Sequence, residues 1–438
     1  MIKHVEMLKM AKIKIFIINM FLITASINAY AENGQSTIIA VETKPAEQPS
    51  LANTDNDTIK IGAVIAQTGM LKEIAQIVRK GYDIALDQIN TRGGIRVGNR
   101  FYKLELIYAD GASDPNSSKV GAEDLIKKGV KFLLGPYGSN IASAIYPLAE
   151  KYKIPFVQSQ GTALLLYSPN LHYTFSTSSS ADQYLKPAIK LLGEASLARG
   201  RKAEDLKIAI IARDEASSQD IRGGVVEALQ EWKMQLIGDY TISASSKDIS
   251  DTLDKIAPSK PDLLIATLQS DGARPFVNEL AKKKIDFPMV AMTHCDASKI
   301  EDLKPKSDYI LCASQWDPFL NYPDRFFASS ADYAISYNLK YNINPPYQSA
   351  GASASLILLA DAIERAQSLE PEKVRDALEQ TKLKTLYGEI RFDKEKNKAK
   401  PMVLYQLMNG VYKIVYPLSG AWAQLAFPMP SWQERVVD

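Results

Sequence analysis

The sequence predicts an α/β protein of two Rossmann-like lobes with parallel sheets, joined by a hinge that the chain crosses about three times. Three observations predict it. From residue 58, short apolar runs alternate with segments of helical period, the pattern of parallel strands covered by helices. A second series of the same kind fills 182–313. Helices then dominate 324–380, too long and apolar to pack without a sheet, while the first four strands have too few helices to cover them. Those late helices are therefore assigned back to the first lobe. The expected lobes are 58–180 plus 317–387, and 181–316 plus 388–430.

Each element follows from local pattern. IKIGAVIA at 59–66 reads as a buried strand, and Ile74, Ile77, Val78, Tyr82, Ala85 and Ile89 recur at the helical period over 74–90. Gly93-Gly94 ends that helix. A strand at 102–109, a helix opening at Asp114-Pro115, a strand at 130–134, a helix at 139–152 and a strand at 154 complete βαβαβαβ. The second series places helices at 182–197, 220–232, 250–256 and 273–284 among strands at 207–212, 235–242, 262–268, 289–292 and 309–313. Late helices at 324–341, 348–366 and 371–380 precede a terminal β segment, GEIRFD at 388–393 and two strands flanking Asn409-Gly410, a hairpin signal.

Lys9, Lys12 and Lys14 precede a mostly apolar stretch from Ile15 to Ile27, and Ala29-Tyr30-Ala31 supplies small residues where a signal peptidase reads, so residues 1–31 are expected to be a signal peptide cut after Ala31. The mature protein is expected in the periplasm. Residues 32–57, rich in polar residues, Pro and Ala, are expected to form a disordered leader. The formal charge of +2 loses the net +3 of Lys3, Lys9, Lys12, Lys14 and Glu6, leaving −1. A nearly neutral chain offers no footprint for nucleic acid. Cys295 and Cys312 form either one disulfide or two buried thiols. Once His4 leaves with the signal, only His172 and His294 remain, too few and too scattered for a zinc site. No metal or cofactor is expected.

Ser139 and Thr162 stand 23 residues apart, each after an apolar run and ahead of an expected helix, in LLGPYGSNIAS and IPFVQSQGTA. Neighbouring parallel strands that end in such turns place hydroxyls and backbone amides at one sheet edge, where helix N-termini favour an anion. The pairing points to a small carboxylate. The plainer reading is that Ser139 caps its helix and Gly161 permits a tight turn. Catalysis finds little support: G-x-G-x-x-G after the first strand, G-x-x-x-x-G-K-[ST] and G-x-S-x-G are all missing, and no carboxylate pair or triad is recognisable.

IKIGAVIAQTG, KGYDIALDQINTRGGI, YADGASDPNSS, LLGPYGSNIAS and IPFVQSQGTA, followed by YGEIRFD and AKPMVLYQ, stand in an order and spacing that resembles the type I periplasmic solute-binding proteins, the Leu/Ile/Val-binding branch of ABC importers. The likeness runs from about 59 to 430. It implies a cleft between two lobes in which Ser139 holds a ligand carboxylate and Gln160, Gly161 and Thr162 supply turn contacts. It also implies delivery of an amino acid-like solute to an inner-membrane ABC permease with its ATPase subunits. Ile74 and Ser217 stand where members of the branch place an aromatic lid, and Thr293, beside His294, where an acid would hold the ligand ammonium. Either Asp271 or Asp296 substitutes, or the ligand lacks that group. Asp271 also reads as a helix N-cap. Gln269 is expected to face the cleft as a neutral donor and acceptor, and Trp316 and Tyr347 either cover the ligand or pack the hinge. The alternative function is a periplasmic sensor or other non-transport binding protein on the same fold; a hydrolytic enzyme is a third.

Overall fold

The computed structural model describes residues 58–243, 246–295, 298–392 and 402–435. The expected signal and leader, residues 1–57, lie outside them.

The first sheet contains β1 (Thr58–Ile65), β2 (Ile95–Val97), β3 (Arg100–Asp110), β4 (Leu133–Leu134), β5 (Phe156–Gln158) and β6 (Thr174–Ser176), in the order β2-β3-β1-β4-β5-β6. All neighbours are parallel except the β2–β3 hairpin. Helices α1 (Lys72–Thr91), α2 (Pro115–Lys127) and α3 (Ser139–Tyr152) connect these strands. The second sheet takes β7 (Lys207–Arg213), β8 (Gln235–Ile242), β9 (Leu263–Thr267), β10 (Val290–Met292) and β11 (Leu311–Ser314), with α4 (Lys186–Leu197) before them and α5 (Ala216–Trp232), α6 (Ser246–Ile256) and α7 (Ser270–Lys283) between them.

Alternation along β7 shows why the second sheet is covered twice. Ile208, Ile210 and Ala212 pack with α4 and α5 through Ile189, Leu192, Val225 and Leu229. Ala209 and Ile211 face the opposite core, with Ile249 and Leu253 of α6 and Phe276 and Leu280 of α7.

The chain then forms a small hairpin, β12 (Pro323–Asp324) with β13 (Ala328–Ser329), and helices α8 (Ser330–Tyr341), α9 (Tyr347–Ala366) and α10 (Pro371–Glu379). The hairpin takes the start of the helix expected from Asp324, and Ser329 caps α8 instead, its Oγ accepting the amide proton of Asp332 at 3.2 Å. These helices pack on the first sheet: Leu356, Leu359, Val374 and Leu378 share one core with Ile59, Ile61, Val78 and Tyr82. Sixteen of the twenty residues of α9 are buried, and their small size lets α1 approach closely. A Cβ on Gly81 of α1 would stand 2.2 Å from the Ser349 carbonyl oxygen. The opposite face of the sheet is covered by α2 and α3 through Leu125, Ile145 and Leu148.

Strands β14 (Lys382–Thr385) and β15 (Gly388–Arg391) pair with each other, and Ile390 and Phe392 join the first core. This corrects the expectation that residue 388 opens the second lobe: turn geometry ties β15 back to β14, so residues 388–392 stay with the first core. Finally β16 (Val403–Met408) and β17 (Val411–Tyr416), joined at Asn409-Gly410, add antiparallel to β11, giving the order β17-β16-β11-β10-β9-β7-β8. Strand β6, only three residues long, carried no readable period, and the helix expected over 182–197 divides into a 3-10 turn at Ala181–Gln183 and α4.

Two crossings are tied together by one side chain. Gln315, just after β11, accepts from the Ser179 amide at 2.9 Å and returns its Nε2 protons to the Ser179 carbonyl and the Tyr184 hydroxyl, both at 3.0 Å.

Candidate functional site

Parallel pairing of β4 with β5 continues past their ends as a bridge between Tyr137 and Gln160. That extension sets the 138–139 turn beside 161–163. Gly138, at φ 98°, turns the chain into α3 in a region that side chains rarely adopt, and Ser139 becomes the first residue of the helix. The Ser139 hydroxyl oxygen then accepts the amide protons of Thr162 at 3.0 Å and Ala163 at 3.1 Å.

The strand-tip amides differ from expectation. Gly161 N donates to Gln158 Oε1 at 2.6 Å, and Leu164 N donates to Asp220 Oδ2 of α5 at 2.7 Å. All four amides from 161 to 164 therefore serve the fold. Thr162 also precedes only a 3-10 turn, Leu164–Tyr167, instead of an α-helix. What the edge presents is the Ser139 O–H, polarised by the two amides it accepts from, the Thr162 hydroxyl and the N-terminus of α3.

Ser139, Gln160, Thr162, Ser217, Gln269 and Tyr347 line one hollow between the two sheets' ends. Tyr137, Gly138, Tyr184, Ile221 and His294 complete it. Among the described residues that line it, none is Asp, Glu, Lys or Arg. Its volume is about 20 Å3, room for about one water. Gln160 is anchored from below, its Nε2 donating to Ser159 Oγ at 3.0 Å and to the Gln348 carbonyl at 3.2 Å. Across the hollow, Gln269 Nε2 donates to Ser217 Oγ at 2.9 Å.

Five residues that the sequence put at the cleft lie elsewhere. Thr293 is fully buried and spends its hydroxyl on the Leu268 carbonyl at 2.7 Å, because it alternates away from the cleft at the end of β10. Gly161 is locked to Gln158 and does not line the hollow. Ile74 is in the core of the first sheet. Trp316 packs the hinge, its Nε1 donating to the Leu386 carbonyl at 2.7 Å and its ring meeting Tyr333 edge-on. Asp271 sits in the first turn of α7, not at the N-cap, which is Gln269, and pairs with Arg213. Asp296 falls outside the described residues.

His294 takes the place at the hollow expected of Thr293, and its own signal was only its rarity. It sits at φ 59°, with Nδ1 3.3 Å from the Tyr137 hydroxyl of the facing lobe. Burial pushes its pKa down from 6.5 to about 4, against a smaller upward pull from Asp271. It is neutral at pH 7. Asp220, whose carboxyl pKa is raised by burial, makes a further contact between the lobes through the Leu164 amide. Cys295, next to His294, is joined to Cys312 in a disulfide, which settles the two alternatives.

The family model for periplasmic binding protein matches residues 58–410. The Leu/Ile/Val-binding protein homolog 8 of Brucella abortus is 22% identical over 384 residues, covering 84% of this chain and 93% of its own. A leucine binding protein from Thermotoga maritima superposes with a TM-score of 0.69 at 20% identity, over 81% of this chain and 97% of that one. An ABC transporter solute binding protein from R. palustris, solved in complex with benzoate, gives 0.67 at 18% identity, over 85% and 97%. Among the described residues no helix is long and apolar enough to cross a membrane. With parallel-rich sheets, a hollow between them, the fold of the leucine binding protein and a family match across most of its length, the chain belongs to the periplasmic binding protein family.

Proposed function

We propose that the protein is the periplasmic capture component of an ABC importer and takes an amino acid or a related small carboxylate or amide into the hollow at Ser139. One observation carries this reading: Ser139 and Thr162, at adjacent strand tips of one lobe, face Ser217, Gln269 and His294 of the other across a single hollow. Hydroxyl donors and a helix N-terminus suit a carboxylate, and leucine and benzoate, named for two of the structural relatives, have a carboxylate on an apolar body in common.

Capture proceeds by closure without turnover. A hollow that admits about one water accepts a solute of amino-acid size only when the lobes part about the crossings held by Gln315. The solute binds first to Ser139 and Thr162. The second lobe then closes, bringing Gln269 and His294 over it and presenting a joined surface to the permease.

The test is a thermal-shift screen of amino acids, amides and small carboxylates on the mature chain, followed by calorimetry on Thr162→Ala. A ligand at about 100 times its dissociation constant stabilises by roughly 2.7 kcal/mol. Loss of the hydroxyl is expected to weaken binding by about 1.5–3 kcal/mol, as for a charge-assisted hydrogen bond. An affinity equal to that of the natural protein counts against the site.

A further inference from the structure

On the hinge side of Tyr347 lies a second hollow, of about 750 Å3, within the range of small-molecule sites. Its walls come from both lobes: α8 and the Asn344–Tyr347 stretch on one side, Glu301, Tyr405 and Tyr412 on the other, with the Trp316–Phe319 crossing between. Five of its lining residues are aromatic: Trp316, Phe319, Tyr347, Tyr405 and Tyr412. The rings of Tyr405 and Tyr412 stand 5.5 Å apart. At the rim Leu339 is 81%, Phe319 74% and Ile335 58% exposed, three large apolar side chains together where single ones are ordinary.

The charge in this hollow has one sign. Glu301 and Asp317 line it, and none of its described lining residues is Lys, Arg or His. Both carboxylates are oriented: Asp317 accepts the Phe319 amide at 2.7 Å and lies 2.8 Å from the Tyr405 hydroxyl, and Glu301 accepts the Tyr412 hydroxyl at 2.7 Å. Carboxylates set among aromatic faces attract a cation and repel an anion, while the apolar wall of Ala331, Ala334, Ile335 and Leu339 withdraws a hydrocarbon body from water.

We propose that this hollow is a second binding site, selective for an organic monocation with an apolar or aromatic body, of the arylalkylamine class. It is separate from the carboxylate hollow at Ser139, touching it only through Tyr347, which lines both. Because its walls belong to both lobes, an occupant favours the arrangement in which they meet. Cation and solute therefore change each other's affinity by the same factor.

Calorimetry on the mature chain with phenethylamine, 2-phenylethanol and 3-phenylpropanoate tests the proposal at constant ionic strength. Phenethylamine is expected to bind about tenfold or more tighter than the neutral alcohol, a gap of about 1.4 kcal/mol. The third probe is a carboxylate that the Ser139 hollow is itself proposed to take, so only heat removed by Leu339→Lys counts for this site, and for that probe none is expected. Glu301→Gln, which keeps an acceptor for Tyr412, and Leu339→Lys, at an exposed position, are each expected to reduce amine affinity about tenfold with thermal midpoints unchanged. Equal affinity for amine and alcohol, or an amine affinity indifferent to both variants, overturns the proposal. So does a concentration-dependent dimer that Leu339→Lys abolishes in a protein that binds no amine, since the face would then belong to a second copy.

Discussion

The hydroxyl oxygen of Ser139 accepts the amide proton of Thr162 at 3.0 Å, making two residues 23 positions apart one hydrogen-bonded unit at the edge of the first sheet. Their roles nevertheless separate. The Ser139 oxygen carries two amides of the neighbouring turn, whereas the Thr162 side chain lines the hollow.

Ser139→Ala should therefore damage the fold as well as the site. Two amides, one part-buried at Thr162 and one buried at Ala163, would lose their acceptor, at a cost of about 1–3 kcal/mol for each group left unsatisfied. Thr162→Ala should leave urea unfolding within about 0.5 kcal/mol of the natural protein, as for a substitution that removes no structural contact. Paired denaturation and ligand titration separate the two, and equal destabilisation by both variants would contradict the division of roles.

His294 should make stability fall on acidification. Its pKa is depressed in the folded protein, from 6.5 to about 4, so the unfolded chain takes up a proton that the folded one refuses. The stabilisation is complete above pH 6.5 and is lost as pH falls through the window down to about 4. Thermal midpoints of the natural protein and His294→Gln, measured from pH 7.5 to 4, should converge toward the acid end; parallel curves would show that the ring does not titrate this way.

Gln315→Leu should loosen the hinge. It removes the acceptor of the Ser179 amide and the donor shared by the Ser179 carbonyl and the Tyr184 hydroxyl, all buried. A loss of about 0.5–1.5 kcal/mol per hydrogen bond removed is expected. Hydrogen exchange at the Ser179 amide should rise more than exchange in β7. Uniform protection would place the hinge's rigidity elsewhere.

Removing the disulfide by Cys295→Ala and Cys312→Ala should lower unfolding free energy by about 3 kcal/mol, the loop-closure value for a separation of 17 residues. Denaturation with and without reductant gives the comparison, and an unchanged midpoint in urea would show that the β10–β11 connection is held by packing alone.

Local pattern determined much of this protein before any fold was in hand. The helical period over 74–90, the apolar strands at 59–66 and 207–212, the Asn409-Gly410 hairpin and the Gly/Ser/Thr turns at Ser139 and Thr162 are all properties of neighbours in sequence. Burial periodicity and turn chemistry act over a few residues, so they are readable there. Only the tertiary structure decided that Thr293 turns inward while His294 reaches the hollow, that β15 stays with the first core, and that the amides at 161–164 are already engaged by Gln158, Ser139 and Asp220. Each depends on which of two neighbouring side chains faces a cleft, or on a partner up to 56 positions away. The β-strand period of two reverses facing with a shift of one residue, and a distant acceptor leaves no mark on the local sequence.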